Sequence, residues 1–392
     1  MLFPRQIFHQ LEQELETKEV TVITGMRRVG KTTALIYLYD LVLSKNKVFL
    51  DLENPLHRKV FEEENYDAVW NNLRQFGVTN DTKVYLFLDE VQNLPEISRV
   101  IKYLYDHWRV KFFLTGSSSY YLRNLFPESL AGRKIIFEIF PLNFAEFLVF
   151  NQITRVEIDS FVQKAQRKNK ISYEQLIPYY NEFLEFGGFP SVVLEKDPAR
   201  KKTLLSEIFT SYFEKDAKNL ADFSDMSKLR DLILLLIPRI ASRIEINKLA
   251  SELSVSRQTV YNYLSFLEQT YFISLLPKHS ASIDRQAAGS RKLFLCDCGI
   301  ANILGRISQG QLLEQSVFQN LRPADSLSFY HKDTSEIDFI VDDKIALEVK
   351  MSMSPQDLSN LKRRSKVLRL NENYIVTLHY SNNKETILVT DL

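Results

Sequence analysis

Eight residues near the start of the chain, Gly25-Met26-Arg27-Arg28-Val29-Gly30-Lys31-Thr32, have the spacing G-x-x-x-x-G-K-[ST] of a loop that cradles phosphates. The two glycines let the backbone turn tightly enough for successive amide N–H groups to converge on phosphate oxygens. A following helix presents its positive N-terminal end to the same charge. Lys31 would reach the β- and γ-phosphates of a nucleotide, and the Thr32 hydroxyl would hold Mg²⁺. Gly25, Arg28, Val29, Gly30, Lys31, Thr32 and Thr33 are therefore the expected nucleotide-binding residues. The Arg27 and Arg28 side chains keep two readings, contact with phosphate or a neighbouring subunit, or simple solvation.

A loop of this kind positions phosphate but does not activate water, so acidic residues are needed close by. Asp89 and Glu90 follow the apolar run Val84-Tyr85-Leu86-Phe87-Leu88. Asp89 is the expected carboxylate for Mg²⁺, directly or through water, and Glu90 the base that polarises the attacking water. The bland alternative is a solvated acidic strand end. Ser117, after Phe113-Leu114-Thr115-Gly116, is placed either to orient that water and sense the γ-phosphate or to serve a turn or helix cap. Arg133, in Ala131-Gly132-Arg133-Lys134, reads either as an arginine finger inserted into a neighbour's site or as a surface arginine.

A second constellation lies near the C-terminus, in Glu336-Ile337-Asp338-Phe339-Ile340-Val341 and Ile345-Ala346-Leu347-Glu348-Val349-Lys350. Folded as a hairpin about Asp342 to Lys344, these strands would set Ile337 against Val349, Phe339 against Leu347 and Val341 against Ile345, giving one apolar face. The other face would then pair Asp338 with Glu348 and Glu336 with Lys350. Two carboxylates beside a lysine suit a divalent cation and phosphodiester hydrolysis, with Asp338, Glu348 and Lys350 in those roles. Equally, they form ordinary cross-strand ion pairs on a wet face. Leu361 to Arg369 carries five basic residues, Lys362, Arg363 and Arg364 among them, and no acidic one, a phosphate-facing patch or a solvated helix face.

The elements that must position these groups follow from apolar patterning. Val20–Thr24, Lys47–Leu52, Lys83–Glu90, Lys111–Thr115 and Ile135–Ile139 read as strands, near-continuously apolar as in a parallel sheet covered on both faces. Arg5 to Leu15 has helical spacing, and the region from about Leu142 to Leu236 is helical with few strand signals. Glu245–Leu253 and Ser256–Leu267 read as two helices about a tight Ser254-Val255 turn, with Ser256 as N-cap and Val260, Leu264 and Leu267 inward. Arg257, Gln258, Tyr261 and Asn262 are left outside, where a recognition helix touches bases and phosphates. Tyr271–Leu276 supplies a strand.

Taken with Gly25-x4-Gly30-Lys31-Thr32 and Leu88-Asp89-Glu90, the stretches Thr115-Gly116-Ser117, Ala131-Gly132-Arg133, Pro141-Leu142-Asn143-Phe144-x-Glu146-Phe147 and Gly187-Gly188-Phe189-Pro190 carry a resemblance. The chain resembles the bacterial and archaeal AAA+-type ATPases of unknown role that carry a winged helix and a nuclease-like C-terminal domain. The resemblance implies ATP and Mg²⁺ as cofactors, and a nucleotide-sensing turn at Gly188 and Pro190. The Asp338-x9-Glu348-x-Lys350 spacing is similar to the D…E-x-K signature of restriction-endonuclease-like nucleases, and Glu314, on the helical stretch Gln311 to Leu321, matches the upstream acidic residue of that fold. The implied fold is α/β: a P-loop parallel-sheet ATPase core at 1–145, a helical lid at 146–236, a winged helix at 237–290 and a nuclease-like α/β domain at 291–392.

At 392 residues, 45% hydrophobic and 25% charged, the chain has the composition of a globular protein of several domains. A net charge of +1 argues against a globally basic nucleic-acid binder while leaving local patches open. The apolar run near Leu232 to Pro238 is far too short for a bilayer, and Met1-Leu2-Phe3-Pro4-Arg5 lacks a signal-peptide layout, so a cytoplasmic protein without a membrane partner is expected. The two cysteines, Cys296 and Cys298, do not make a zinc set. The expected partner is DNA, with a protein partner as the alternative, in a homo-oligomer. The three functional readings are a DNA-remodelling ATPase, an ATP-driven assembly switch with an inert nuclease-like domain, and an ATP-gated endonuclease.

Overall fold

The computed structural model describes residues 2–116, 132–155, 158, 160–217, 226–280 and 289–392. Ser117 and Ala131 lie outside the described residues. The chain divides into two compact units. One comprises Met1–Phe140, Ser211–Asp222 and Gln269–Tyr271; the other comprises Pro141–Thr210, Phe223–Glu268 and Phe272–Leu392. The segments expected as lid, winged helix and nuclease-like domain fall in the second unit, apart from 211–222 and 269–271.

In the first unit, β1 (Val20–Thr24), β2 (Lys47–Asp51), β3 (Val84–Asp89), β4 (Val110–Gly116) and β5 (Lys134–Glu138) form a parallel sheet in the order β2-β3-β4-β1-β5. Every residue of β1, β3 and β4 is buried, which accounts for their mostly apolar character, although Thr21, Thr24, Lys111 and Thr115 are buried with them; β5, at the edge, is only partly covered. Trp70 stacks on Trp108 at 4.3 Å and Phe87 on Phe113 at 4.8 Å between ring centroids. Leu88 lies opposite Leu114, Ile23 opposite Thr115 and Thr24 opposite Gly116. The carboxyl ends of β1, β3 and β4 are thus level, and residues just beyond them gather at one edge, where such sheets bind ligands.

The second unit opens with helices. Asn143 and Glu146 form a reciprocal capping box that starts Phe144–Phe150, the sequence pattern that signals a helix start. Helices Ile246–Leu253 and Arg257–Gln269 flank a turn in which Ser254 has φ 54°. Ser256 Oγ accepts the Thr259 N–H at 3.0 Å, and Val260, Leu264 and Leu267 are buried. Strand β6 (Ile273–Pro277) pairs antiparallel with β7 (Arg291–Leu295), so the strand expected at 271–276 finds its partner beyond residue 290.

A mixed sheet follows, β8 (Leu327–Lys332), β9 (Ser335–Val341), β10 (Ile345–Lys350), β11 (Glu372–Thr377) and β12 (Thr386–Leu388), in the order β12-β11-β10-β9-β8. The hairpin register holds for Val341 opposite Ile345 and Phe339 opposite Leu347, then stops. Against β8 the pairing slips from Ser328 opposite Ile340 to Tyr330 opposite Ile337, a bulge at Asp338-Phe339 that adds a residue to β9 and reverses its faces from there. Ile337 consequently packs with Ile340, Ala346 and Leu361, not with Phe339 and Leu347. The expected facings of Ile337 with Val349, Asp338 with Glu348 and Glu336 with Lys350 are replaced by a side-chain bond, Asp338 Oδ2 accepting the Val349 N–H at 2.9 Å. No helix among the described residues is long and apolar enough to cross a membrane.

Candidate functional site

At the carboxyl end of β1 the chain enters the 25–32 loop. Gly25 has φ 149°, and a Cβ there would lie 2.1 Å from the Ile139 carbonyl oxygen, so only glycine fits. Gly30, at φ 103°, is the N-cap of the helix Lys31–Leu41, and Val29 is fully buried. Arg28 is exposed with φ 64°, and Thr33 is exposed in the first helical turn. Arg5 braces the loop from outside: its Nη1 donates to Val29 O at 3.0 Å and its Nη2 to Phe140 O at 2.9 Å. The buried Lys31 ammonium donates to Gly25 O and Met26 O, each at 3.1 Å.

Both acidic residues at the end of β3 are fixed by hydroxyls. Asp89 Oδ2 accepts from Thr32 Oγ1 at 2.8 Å, and Asp89 Oδ1 accepts from Thr115 Oγ1. Thr115 Oγ1 in turn accepts the Glu90 N–H at 2.9 Å. Burial raises the Asp89 pKa, while the Thr115 and Thr32 hydrogen bonds pull it back down. A hydroxyl and a carboxylate at this separation are the hard oxygen donors that Mg²⁺ takes. Glu90 has φ 53°, an uncommon backbone for a non-glycine residue and one found at ligand sites. Its carboxylate accepts from Gln92 Nε2.

Arg133 is not brought to this cluster. Its carbonyl accepts the Val20 N–H at 2.8 Å, which places it at the amino edge of the sheet, the end away from the loop. There its guanidinium meets Asp106 at 2.8 Å and lies 5.6 Å from the centre of the Tyr105 ring. Pro190 opens the short helix Pro190–Val193 of the second unit. The glycines before it are pinned by Asp297, a residue that sequence reasoning passed over. Asp297 is fully buried and accepts the N–H of Gly188 at 2.7 Å, of Gly299 at 2.8 Å and of Ile300 at 3.3 Å, with Gln319 Nε2 at 3.0 Å. Burial raises its pKa against those bonds.

The C-terminal candidates do gather, but around a residue not anticipated. Lys292 Nζ, from β7, lies 2.5 Å from Glu314 Oε1, 2.7 Å from Glu336 Oε1 and 3.3 Å from Asp338 Oδ1. Glu348 is held by Lys350 Nζ at 2.9 Å and Arg364 Nη1 at 3.3 Å. Arg364, expected to face nucleic-acid phosphate, is therefore turned inward, where it also donates to Glu336 O at 2.8 Å. Lys362 pairs with Glu385, and Arg363 bonds Asn360 at 3.3 Å along its own helix. Arg257, Gln258, Tyr261 and Asn262 are all exposed on one helix, Gln258 Nε2 donating to Asn262 Oδ1 at 3.0 Å.

Residues 17–148 match the family profile described as an AAA domain; residues 177–311 and 309–390 match two profiles, each described as a domain of unknown function. An uncharacterised protein of Methanocaldococcus jannaschii is 29% identical over 347 residues, covering 86% of this chain and 75% of that protein. An uncharacterised protein of Haemophilus influenzae is 25% identical over 392 residues, covering 95% and 92%. Among solved structures, a Walker-type ATPase of Pyrococcus abyssi is similar with a TM-score of 0.48 at 14% identity, over 78% of this chain and 96% of that one. The parallel sheet with its loop thus lies within the residues that match the AAA domain profile.

Proposed function

We propose that the protein hydrolyses ATP with Mg²⁺ at the edge of its parallel sheet and that its second unit engages DNA. The observation that carries the ATPase reading is Asp89 held between the Thr32 and Thr115 hydroxyls beside the 25–32 loop. Thr32 and Asp89 would hold Mg²⁺, which supplies charge neutralisation at the phosphates. The backbone N–H groups of Val29 to Thr33 bind and orient those phosphates, with Lys31 as the cation beside them. Glu90 accepts the proton of the attacking water, its backbone fixed by Thr115 and its carboxylate by Gln92. The DNA reading is supported by the polar, exposed face Arg257, Gln258, Tyr261 and Asn262 of a capped second helix, as a winged-helix reader would present it, and by the exposed Arg363 and Lys366 of helix Pro355–Leu368.

A second reading, an ATP-driven switch whose second unit binds protein, is favoured by Lys362 and Arg364 being committed to carboxylates of their own chain. One experiment separates the two. Purified full-length protein is assayed for Mg²⁺-dependent ATP hydrolysis alone and with single-stranded, duplex and branched DNA, alongside Lys31→Ala and Arg257→Ala/Tyr261→Ala. Hydrolysis lost in Lys31→Ala, and stimulation by DNA lost in the double variant, are expected. An ATPase indifferent to every DNA would sink the DNA reading and leave the switch; no hydrolysis under any condition would sink both.

A further inference from the structure

Lys292 has a side chain only 1% exposed, an extreme position for a lysine unless its charge is answered. An ammonium group has three donors and no acceptor, and here three carboxylates stand around it: Glu314 at 2.5 Å, Glu336 at 2.7 Å and Asp338 at 3.3 Å. They come from two elements: Glu314 is on the helix Gln309–Leu321, while Glu336 and Asp338 are on β9, Asp338 at its bulge. Burial works against a charged lysine, and the three carboxylates at ion-pair distance answer that charge.

The other oxygens of the expected metal set are also committed. Asp338 Oδ2 takes the Val349 N–H at 2.9 Å, Glu348 Oε1 takes Lys350 at 2.9 Å, and Glu348 Oε2 takes Arg364 at 3.3 Å. A divalent ion would need several of these oxygens at about 2.0–2.6 Å from one point, and the ammonium is already there. Among the described residues no group of three or more His, Cys, Asp or Glu is placed to hold a metal ion. Charge points the same way: three cations, Lys292, Lys350 and Arg364, stand within ion-pair distance of Glu314, Glu336, Asp338 and Glu348, so most of the negative charge that would attract a dication is already answered.

We propose that Lys292 occupies the position of the divalent cation in a nuclease-like site, so that the C-terminal module is an ammonium-centred ionic joint that does not cleave phosphodiesters. The joint ties β7, the partner strand of β6, to β9 and to helix Gln309–Leu321 without a metal.

The test uses the full-length protein in the absence of nucleotide. Mn²⁺ binding is followed by electron paramagnetic resonance, and plasmid and oligonucleotide cleavage is followed with Mg²⁺ and Mn²⁺, comparing wild type with Asp338→Ala. The expected result is the same Mn²⁺ signal in both and no cleavage by either. Bound Mn²⁺ or cleavage that disappears in Asp338→Ala overturns the proposal. Thermal unfolding supplies the positive arm. Lys292→Met leaves three carboxylates facing one another and should lower the melting temperature, whereas adding Glu314→Gln and Asp338→Asn to it should restore most of the loss. A triple variant no more stable than Lys292→Met would show that packing of the lysine stem, not its charge, is what matters there, and would overturn the ionic joint.

Discussion

One hydroxyl, that of Thr115, ties both acidic residues at the mouth of the phosphate loop, donating to the Asp89 carboxylate and accepting from the Glu90 backbone N–H. Thr115→Val keeps the side-chain shape and removes that link. Asp89, already raised in pKa by burial, then loses one of the two hydrogen bonds that favour its charged form. ATP turnover should fall about 10- to 100-fold, the usual cost of losing a group that orients a metal ligand, with a higher Mg²⁺ requirement that Thr115→Ser relieves. Steady-state rates across an Mg²⁺ titration measure this; an unchanged Mg²⁺ dependence in Thr115→Val would count against the role. Glu90→Gln keeps the polar contact but cannot take a proton, so nucleotide should still bind while hydrolysis drops on the order of 10²–10⁴. Equilibrium binding of a fluorescent ATP analogue and single-turnover hydrolysis separate the two. Arg133 belongs to another kind of residue. Paired with Asp106 at 2.8 Å and lying over Tyr105, it is engaged at the amino edge of the sheet. Arg133→Ala should leave turnover per subunit unchanged and cost less than about 1 kcal/mol, as part-exposed pairs do. A fall of about 10³ in rate, as an arginine finger would give, would favour instead its insertion into a neighbour's site.

Elements show where patterning stops being informative. The parallel strands, the loop and the capped helix at Ser256 were legible because each signal is local: apolar runs, glycines at fixed offsets, a serine before a helical period. The β9–β10 turn was legible for the same reason. The bulge at Asp338-Phe339 was not, since alternation cannot show an inserted residue, and so the facing of Asp338 with Glu348 failed. Lys292 was not legible either, because its carboxylates lie 44 and 46 positions away in β9. Nor was Arg5, whose partner Phe140 O is 135 residues distant. Asp297 belongs with these. It joins the N-cap of helix Cys298–Leu304 to the Gly187-Gly188 turn, where a Cβ on Gly187 would sit 1.8 Å from its own Oδ1. Asp297→Ala strands the buried donors of Gly188, Gly299 and Gln319, at about 1–3 kcal/mol for each buried group left unpaired. A loss of at least about 3 kcal/mol in urea unfolding is expected. Asp297→Asn, which turns an acceptor into a donor facing the Gly188 N–H, should recover only part of it; full recovery would mean that size alone matters at this turn.

At the scale of the whole molecule, the unit that holds the phosphate loop is not one continuous piece of chain. The polypeptide leaves it after Phe140 and returns at Ser211–Asp222 and Gln269–Tyr271. The returning segments carry core. Tyr212 is fully buried with its hydroxyl 2.7 Å from Thr270 Oγ1, and Tyr271 is 8% exposed. The Tyr271 hydroxyl donates to Glu138 on the edge strand β5 at 2.9 Å, and its ring lies 5.8 Å from that of Phe140. Beta-5 is the neighbour of β1, from which the phosphate loop departs, and the residue after β5, Ile139, is the one against which Gly25 packs. Support for β5 is therefore support for the loop. A fragment of residues 1–145, which ends where sequence patterning closes the ATPase core, lacks that support. It is expected to bind the ATP analogue more weakly than the full chain and to lose it at lower urea. Within the intact chain, Tyr271→Phe should cost about 1 kcal/mol, the net worth of one hydrogen bond, and Tyr271→Ala about 3 kcal/mol, as large-to-small core changes do. Both should lower nucleotide affinity in the same order. Equal analogue binding and an equal urea midpoint for the fragment and the full chain would show instead that the sheet carries its own edge, and that the later segments only rest upon it.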